Sequence, residues 1–349
     1  MKRAIVFGGY GVFGGHVARG LSDRGIPVTI AGRDAAKAIS AASALKDGHG
    51  VAANAIDVAS CRAAIAGHAV AINCAGPFST LGPALPDACL AAGVHYVDIA
   101  DDRAWFAHLK ARDAEFRARD LLCVPGASSL PAISLALATI ARANCPAAPH
   151  VARVTLFVGN DNPKGEAAIR SATAIAGRPI QAPQGELRGF SLAEIIDLPA
   201  PFGRRAARNF ESADYDLFPV LFGIREIRVK VGFESRPGNA LFGALGRLPA
   251  GATRRLAPAL IALGRVIPRF GHSGGVVMTE LFGKGFRCAA ALSCAEQGQQ
   301  MAALPAVFAA QAILEGNAKP RGVLTAAELL GDTLIASLLA AGPFTLTRS

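Results

Sequence analysis

The first residues able to do chemistry form a glycine run directly behind a short apolar stretch. Gly9-Tyr10-Gly11-Val12-Phe13-Gly14 follows residues 3–7 and opens a helical pattern that runs to about Asp23. That spacing suits a diphosphate. Gly9 permits a tight turn, Gly11 lets backbone approach the phosphates, and Gly14 lets the helix pack closely on the strand. The amides that open the helix, around Val12 and Phe13, then face the anion along the helix dipole. The next apolar segment, residues 27–31, ends in Gly32-Arg33-Asp34. A site for NAD places an acid at that strand tip to hold the ribose hydroxyls. Here glycine stands at the tip and a guanidinium follows, which attracts a 2′-phosphate. NADP is therefore the expected cofactor. Asp34 either serves a ribose or caps the next helix, and its position suits the cap.

Further candidates fall where later strands end, because open α/β sheets bind ligands beyond the carboxyl ends of their strands. Asp57-Val58 is expected near the adenine edge, or else simply starts a loop. Cys74-Ala75-Gly76-Pro77 offers small residues past which a cofactor can run, with Pro77 fixing the turn. Tyr96, Asp98 and Ser128 are the candidate catalytic residues. A phenol can protonate a developing anion, yet Tyr96 and Asp98 share one strand face and can equally be buried and hydrogen-bonded. Asp101 or Asp102 can cap the helix that begins at Arg103, and Ser128 and Ser129 can cap the one begun by Pro131. His272 and Glu280 are weaker candidates.

These residues need a scaffold, and the pattern supplies one. Apolar runs at 3–7, 27–31, 51–55, 70–73, 95–99 and 121–124 alternate with helical stretches at 12–23, 34–45, 60–66, 83–92 and 103–119. Strands alternating with helices imply parallel βαβ units covered on both faces. Beyond Pro131 a helix leads to Cys145-Pro146-Ala147-Ala148-Pro149, and strands are expected at 151–158, 224–233, 276–282 and 287–294. An antiparallel sheet beside helices is the expected form of this second region.

The ordered segments GGYGVFGG, GRD, NCAGPFSTLG, DACLAAGVHYVDIADD and VPGASSLPAIS resemble the saccharopine dehydrogenase-like NADP-binding family. The similarity is specific over roughly the first 135 residues, and Gly322-Val323-Leu324-Thr325 looks like the family's closing segment. The resemblance implies an α/β fold: a Rossmann-type doubly wound parallel sheet with an inserted α+β domain. The expected limits are 1–130 for the NADP-binding domain and 131–300 for the inserted substrate and dimerisation domain. Residues 301–349 would be C-terminal helices returning to the first domain. It also implies hydride transfer between NADPH and an imine, a carbonyl or an enoyl group. Members that make saccharopine carry an acidic segment after the sixth strand, where this chain has Gly126-Ala127-Ser128-Ser129-Leu130-Pro131. An amino-acid or opine dehydrogenase and a non-catalytic NADP-binding sensor or assembly protein remain alternatives.

Composition excludes other classes. The 349 residues are 52% hydrophobic and 18% charged, the profile of a globular chain. The seven cysteines lack CxxC spacing and the histidines lack HxxxH, so neither a disulfide framework nor a metal site is expected. No apolar run spans a bilayer, and the apolar start is too short for a signal peptide; a cytoplasmic protein is expected. The net charge of +10 owes much to residues 235–279, which hold six arginines and no acid. Leu241, Leu245 and Leu248, then Leu256, Leu260, Leu263 and Ile267, give two amphipathic helix faces there. Segment 236–270 is a plain surface, a lid over an apolar small-molecule substrate, or a peripheral membrane contact. Nucleic acid is not expected, because no binding module appears and aromatics are only 6%. A homodimer is compatible with this reading.

Overall fold

The computed structural model describes residues 2–163, 165–249, 252–266, 270–318 and 321–349. The chain forms two compact units, each drawn from two stretches: Met1–Ala132 with Gln299–Ser337, and Ile133–Gly298 with Leu338–Ser349.

The first unit alternates strand and helix. Its elements are β1 (Ala4–Phe7), α1 (Val12–Ser22), β2 (Val28–Gly32), α2 (Ala35–Ala42), β3 (Gly48–Ala52) and α3 (Val58–Ile65). There follow β4 (Val70–Asn73), α4 (Ala84–Ala92), β5 (His95–Asp98), α5 (Arg103–Lys110), α6 (Asp113–Ala118) and β6 (Leu122–Val124). The strands lie parallel in the order β6-β5-β4-β1-β2-β3. β1 (AIVF) and β4 (VAIN) are buried at every position, as expected for strands covered on both faces. The third strand lies three residues earlier than the sequence suggested. Glycine hid it: a Cβ at Gly50 would collide with the Ile39 backbone, so these glycines let β3 lie against α2. The single helix expected over 103–119 is two helices, α5 and α6.

The second unit contains α7 (Ser134–Ala143), β7 (Val151–Val158), α8 (Glu166–Ile175), β8 (Pro179–Ala182), β9 (Gly185–Arg188), β10 (Glu194–Leu198) and β11 (Gly203–Asn209). It continues with α9 (Asp214–Phe222), β12 (Glu226–Phe233), α10 (Arg236–Leu245), α11 (Ala252–Val266), β13 (Gly275–Gly283) and β14 (Phe286–Cys294). The chain ends with α12 (Gly298–Glu315), β15 (Gly322–Val323), α13 (Ala326–Leu330), α14 (Thr333–Ala341) and β16 (Thr345–Arg348). The main sheet runs β10-β11-β12-β7-β13-β14-β16. It is mixed rather than antiparallel, because β7 and β12 pair in parallel over eight residues. That pairing needs a long crossover, which here carries α8, β8 to β11 and α9.

The last part of the chain divides between the units, unlike the expected wholesale return of 301–349. α12, with most of its residues buried, and β15, paired in parallel with β6, complete the first unit. β16 instead pairs antiparallel with β14. Its Thr-Leu-Thr-Arg alternation, largely exposed, suits a strand at a sheet edge.

The arginine-rich segment is helical, as α10 and α11. Its leucines do not share one fate: Leu241, Leu248 and Leu256 are exposed, whereas Leu245 is buried. The Leu263 side chain and Ile267 lie outside the described residues. Among the described residues, no helix is long and apolar enough to cross a membrane, and none of the seven cysteines is in a disulfide.

Candidate functional site: a dinucleotide cradle

The glycine turn joins β1 to α1 as its spacing requires, with one shift in roles. Gly8, not Gly9, takes the left-handed conformation, at φ +73°. A Cβ there would stand 2.8 Å from the Ala75 amide nitrogen and 2.9 Å from the Cys74 carbonyl, so the turn also presses on the end of β4. Gly9 packs against Ile30 and the Val6 carbonyl, each 3.0 Å from a Cβ at that position. Gly14 seats the helix on the turn. A Cβ there would collide with the Gly8 carbonyl oxygen and stand 2.9 Å from the Gly9 Cα. Gly11 is exposed and caps α1 without any side-chain hydrogen bond. The amides of Val12 and Phe13 thus open an eleven-residue helix with no side-chain acceptor at its cap. An uncapped helix start beneath open backbone is what a diphosphate requires.

At the tip of β2, Arg33 is exposed and has no ion-pair partner among the described residues. Asp34 turns the other way. Its carboxylate accepts the Lys37 amide at 3.0 Å, capping α2, and pairs with the Lys37 ammonium at 3.3 Å. Tyr10, to which the sequence reading gave no role, lies over this tip. Its hydroxyl accepts the Asp34 amide at 3.3 Å, and a Cβ on Gly32 would stand 2.7 Å from the ring Cζ. The signal was present in the sequence as an aromatic between the first two glycines and a glycine closing β2. Only the fold shows that they meet.

Asp57 and Val58 lie at the start of α3. The Asp57 carboxylate accepts the Ser60 amide at 2.6 Å as the helix cap, and Val58 is exposed. Past β4, Cys74, Ala75 and Pro77 are half-buried and Gly76 is exposed. Burial first, and then Asp98, push the Cys74 thiol well above its ordinary range, so it carries no thiolate character.

The candidate acids behave differently from one another. Tyr96 and Asp98 are fully buried. The Tyr96 hydroxyl accepts the Asn73 side-chain amide at 3.1 Å, and burial holds the phenol well above its ordinary pKa. Asp98 accepts the amides of Ala100 at 3.0 Å and Gly126 at 2.8 Å, and the Trp105 indole N–H at 2.7 Å. Burial raises its carboxyl despite these donors. Asp98 ties β5 to α5 and to the loop after β6, and Tyr96 ties β5 to Asn73 at the end of β4, so a structural role for either accounts for its burial. Ser128 is half-buried, and the cap role considered for it is not made: α7 starts at Ser134 without a side-chain cap. Asp102 caps α5 through the Trp105 amide at 2.8 Å. Asp101 is exposed at the end of β5, beside Asp102.

In the second unit, Glu280 is buried in an ion cluster with Arg153, at 2.6 Å, and Arg287, at 2.9 Å. His272 pairs through Nδ1 with Glu234 at 2.7 Å.

Residues 5–121 match the family model for the saccharopine dehydrogenase NADP binding domain. No curated protein matches the sequence significantly. Among solved structures, apo saccharopine dehydrogenase (L-Glu forming) from Saccharomyces cerevisiae aligns over 100% of this chain and 99% of its own, at TM-score 0.66 and 12% identity. The RhlG/NADP complex from Pseudomonas aeruginosa aligns over 36% of this chain and 69% of its own, at TM-score 0.32 and 16% identity. A short-chain dehydrogenase/reductase from Mycobacterium ulcerans covers 36% and 66%, at TM-score 0.31 and 17% identity. The first of these shares the fold from end to end; the partial overlaps carry no weight. Residues 5–121 thus match the saccharopine dehydrogenase NADP binding domain, on a chain that shares the saccharopine dehydrogenase fold from end to end.

Proposed function

We propose that this protein is an NADP-dependent oxidoreductase acting on a small molecule with an imine, carbonyl or enoyl group. The observation that carries the reading is the pairing of the uncapped α1 start with an exposed Arg33 at the tip of β2, free of any ion pair among the described residues. Gly8, Gly11 and Gly14 shape the diphosphate niche, and Arg33 supplies a guanidinium for the 2′-phosphate. When bound, the nicotinamide supplies or accepts the hydride. Cys74 to Pro77 and the loops after β5 and β6 border the place where its ring is expected. Of the residues at these strand ends, Asp101 offers an exposed carboxylate and best suits proton transfer. Asp98 holds that loop in place through the Ala100 amide and the Trp105 indole.

The test is nucleotide titration followed by turnover. NADPH should bind much more tightly than NADH. NADPH oxidation is then followed with imines formed from 2-oxo acids and amines, with simple carbonyls, and with enones. Amine-dependent turnover would assign an opine-type reaction, and turnover with enones alone would assign an acyl-type substrate. Tight NADPH binding without turnover on any of them would replace the oxidoreductase with a nucleotide sensor.

A further inference from the structure

We propose that Tyr10 is a steric gate: by roofing the tip of β2 it keeps an acidic side chain, the feature that would admit NAD, out of position 32. The inference rests on the nucleotide site proposed above and adds a steric gate to it. Gly32 is not among the residues with positive φ, so its backbone does not call for glycine. The ring does. A Cβ built on Gly32 would stand 2.7 Å from both the Cζ and the hydroxyl of Tyr10, and closer still to Cε1. At Gly14 such a clash involves backbone; here it involves one side chain, which substitution can remove. The ring is half-buried, and its hydroxyl accepts the Asp34 amide at 3.3 Å, so swinging aside forfeits that bond. Asp34 cannot replace the missing acid while its carboxylate caps α2. Arg33 is left to set the charge that faces the ribose.

An acid at position 32 is the feature that holds the ribose hydroxyls of NAD. The geometry therefore predicts that a carboxylate there is useless until Tyr10 is gone. Four proteins test this: wild type, Tyr10→Ala, Gly32→Asp and the double variant, each titrated calorimetrically with NADPH and NADH and each melted without nucleotide. Tyr10→Ala should keep the NADPH preference. Gly32→Asp should melt at a lower temperature and gain no NADH affinity. The double variant should recover the melting temperature and bind NADH at least about ten times more tightly than Gly32→Asp does. Gly32→Asp binding NADH as well as the double variant would overturn the proposal. Gly32→Ala, made both in the wild type and in Tyr10→Ala, keeps the test decisive should the aspartate proteins fail to fold. It should lower the melting temperature where Tyr10 is kept but not where Tyr10 has been removed, and equal losses would overturn the gate. A wild-type protein that binds neither nucleotide would refute the proposed function itself, a result distinct from any of these.

Discussion

Replacing Asp98 by asparagine tests how the loops around the site are held. One carboxylate oxygen accepts two backbone amides, those of Ala100 at 3.0 Å and Gly126 at 2.8 Å, while the other accepts the Trp105 indole at 2.7 Å. An amide has one oxygen. Kept on the two backbone donors, it turns its NH2 toward the indole N–H, and donor faces donor. Leaving a buried donor without an acceptor costs about 1–3 kcal/mol. Part is regained, because a neutral amide avoids the burial penalty that raises the Asp98 carboxyl. The net loss for Asp98→Asn is therefore about 1–2 kcal/mol. Asp98→Ala strips the acceptor from three donors at once and should cost about 3–5 kcal/mol. Trp105 is the chain's single tryptophan, and its ring lies 6.0 Å from that of Phe78. Its emission during urea unfolding thus reports on this spot in the first unit. An asparagine variant with the wild-type midpoint and unshifted Trp105 emission would refute the reasoning.

The other predictions concern the cofactor and pH. Arg33→Ala should weaken NADPH by about 1.5–3 kcal/mol, the worth of a charged hydrogen bond, and leave NADH nearly unchanged; equal losses in calorimetry would show that the 2′-phosphate lies elsewhere. Gly14→Ala puts a methyl group against the Gly8 carbonyl and should lower both nucleotide affinity and melting temperature; wild-type affinity would undo the packing argument. Asp101→Asn should slow NADPH-dependent reduction by about 10²-fold or more and remove the decline expected of the wild type as rising pH strips the proton from this carboxyl. A pH profile unchanged in shape would assign the proton elsewhere. Asp214 is buried beneath the hydroxyls of Ser134 and Ser212, and burial raises its carboxyl from 3.8 to about 6. The folded state holds this proton more tightly than the unfolded one. Its contribution is therefore complete below about pH 4 and is lost as pH rises through about 6. Relative to Asp214→Asn, the wild type should lose about 2–3 kcal/mol between those limits in chemical denaturation; a constant difference would contradict the burial argument.

Much of the first unit was legible because its physics is local. A strand buried on both faces reads as a continuous apolar run, and the β1–α1 glycines, the Asp34 cap and the order of elements follow from short-range patterns. Residues whose roles depend on distant partners were harder. Tyr10 looks like a filler position until β2 lies beside β1 and brings Gly32 beneath its ring. Tyr96 and Asp98 could be placed on one strand face, but only the position of Trp105 shows that this face is the core. In the second unit, β13 and β14 were visible as apolar runs. β11 (GRRAARN) was not, because arginines dominate it and its burial comes from neighbours on either side. β10 fared no better: Ile196 is buried while Ile195 is exposed, so the run carries no clean alternation.

The division of the last fifty residues between the two units bears on how the protein can be made and cut. A ribosome that has released residue 300 has delivered neither half in finished form. The nucleotide domain still waits for α12 and β15, and the mixed sheet keeps the open side of β14 unpaired until residues 345–348 emerge. Premature termination before residue 337 therefore injures both halves, later termination costs the second unit its edge strand, and an excised fragment ending at residue 132 would present to water the surface that α12 normally covers.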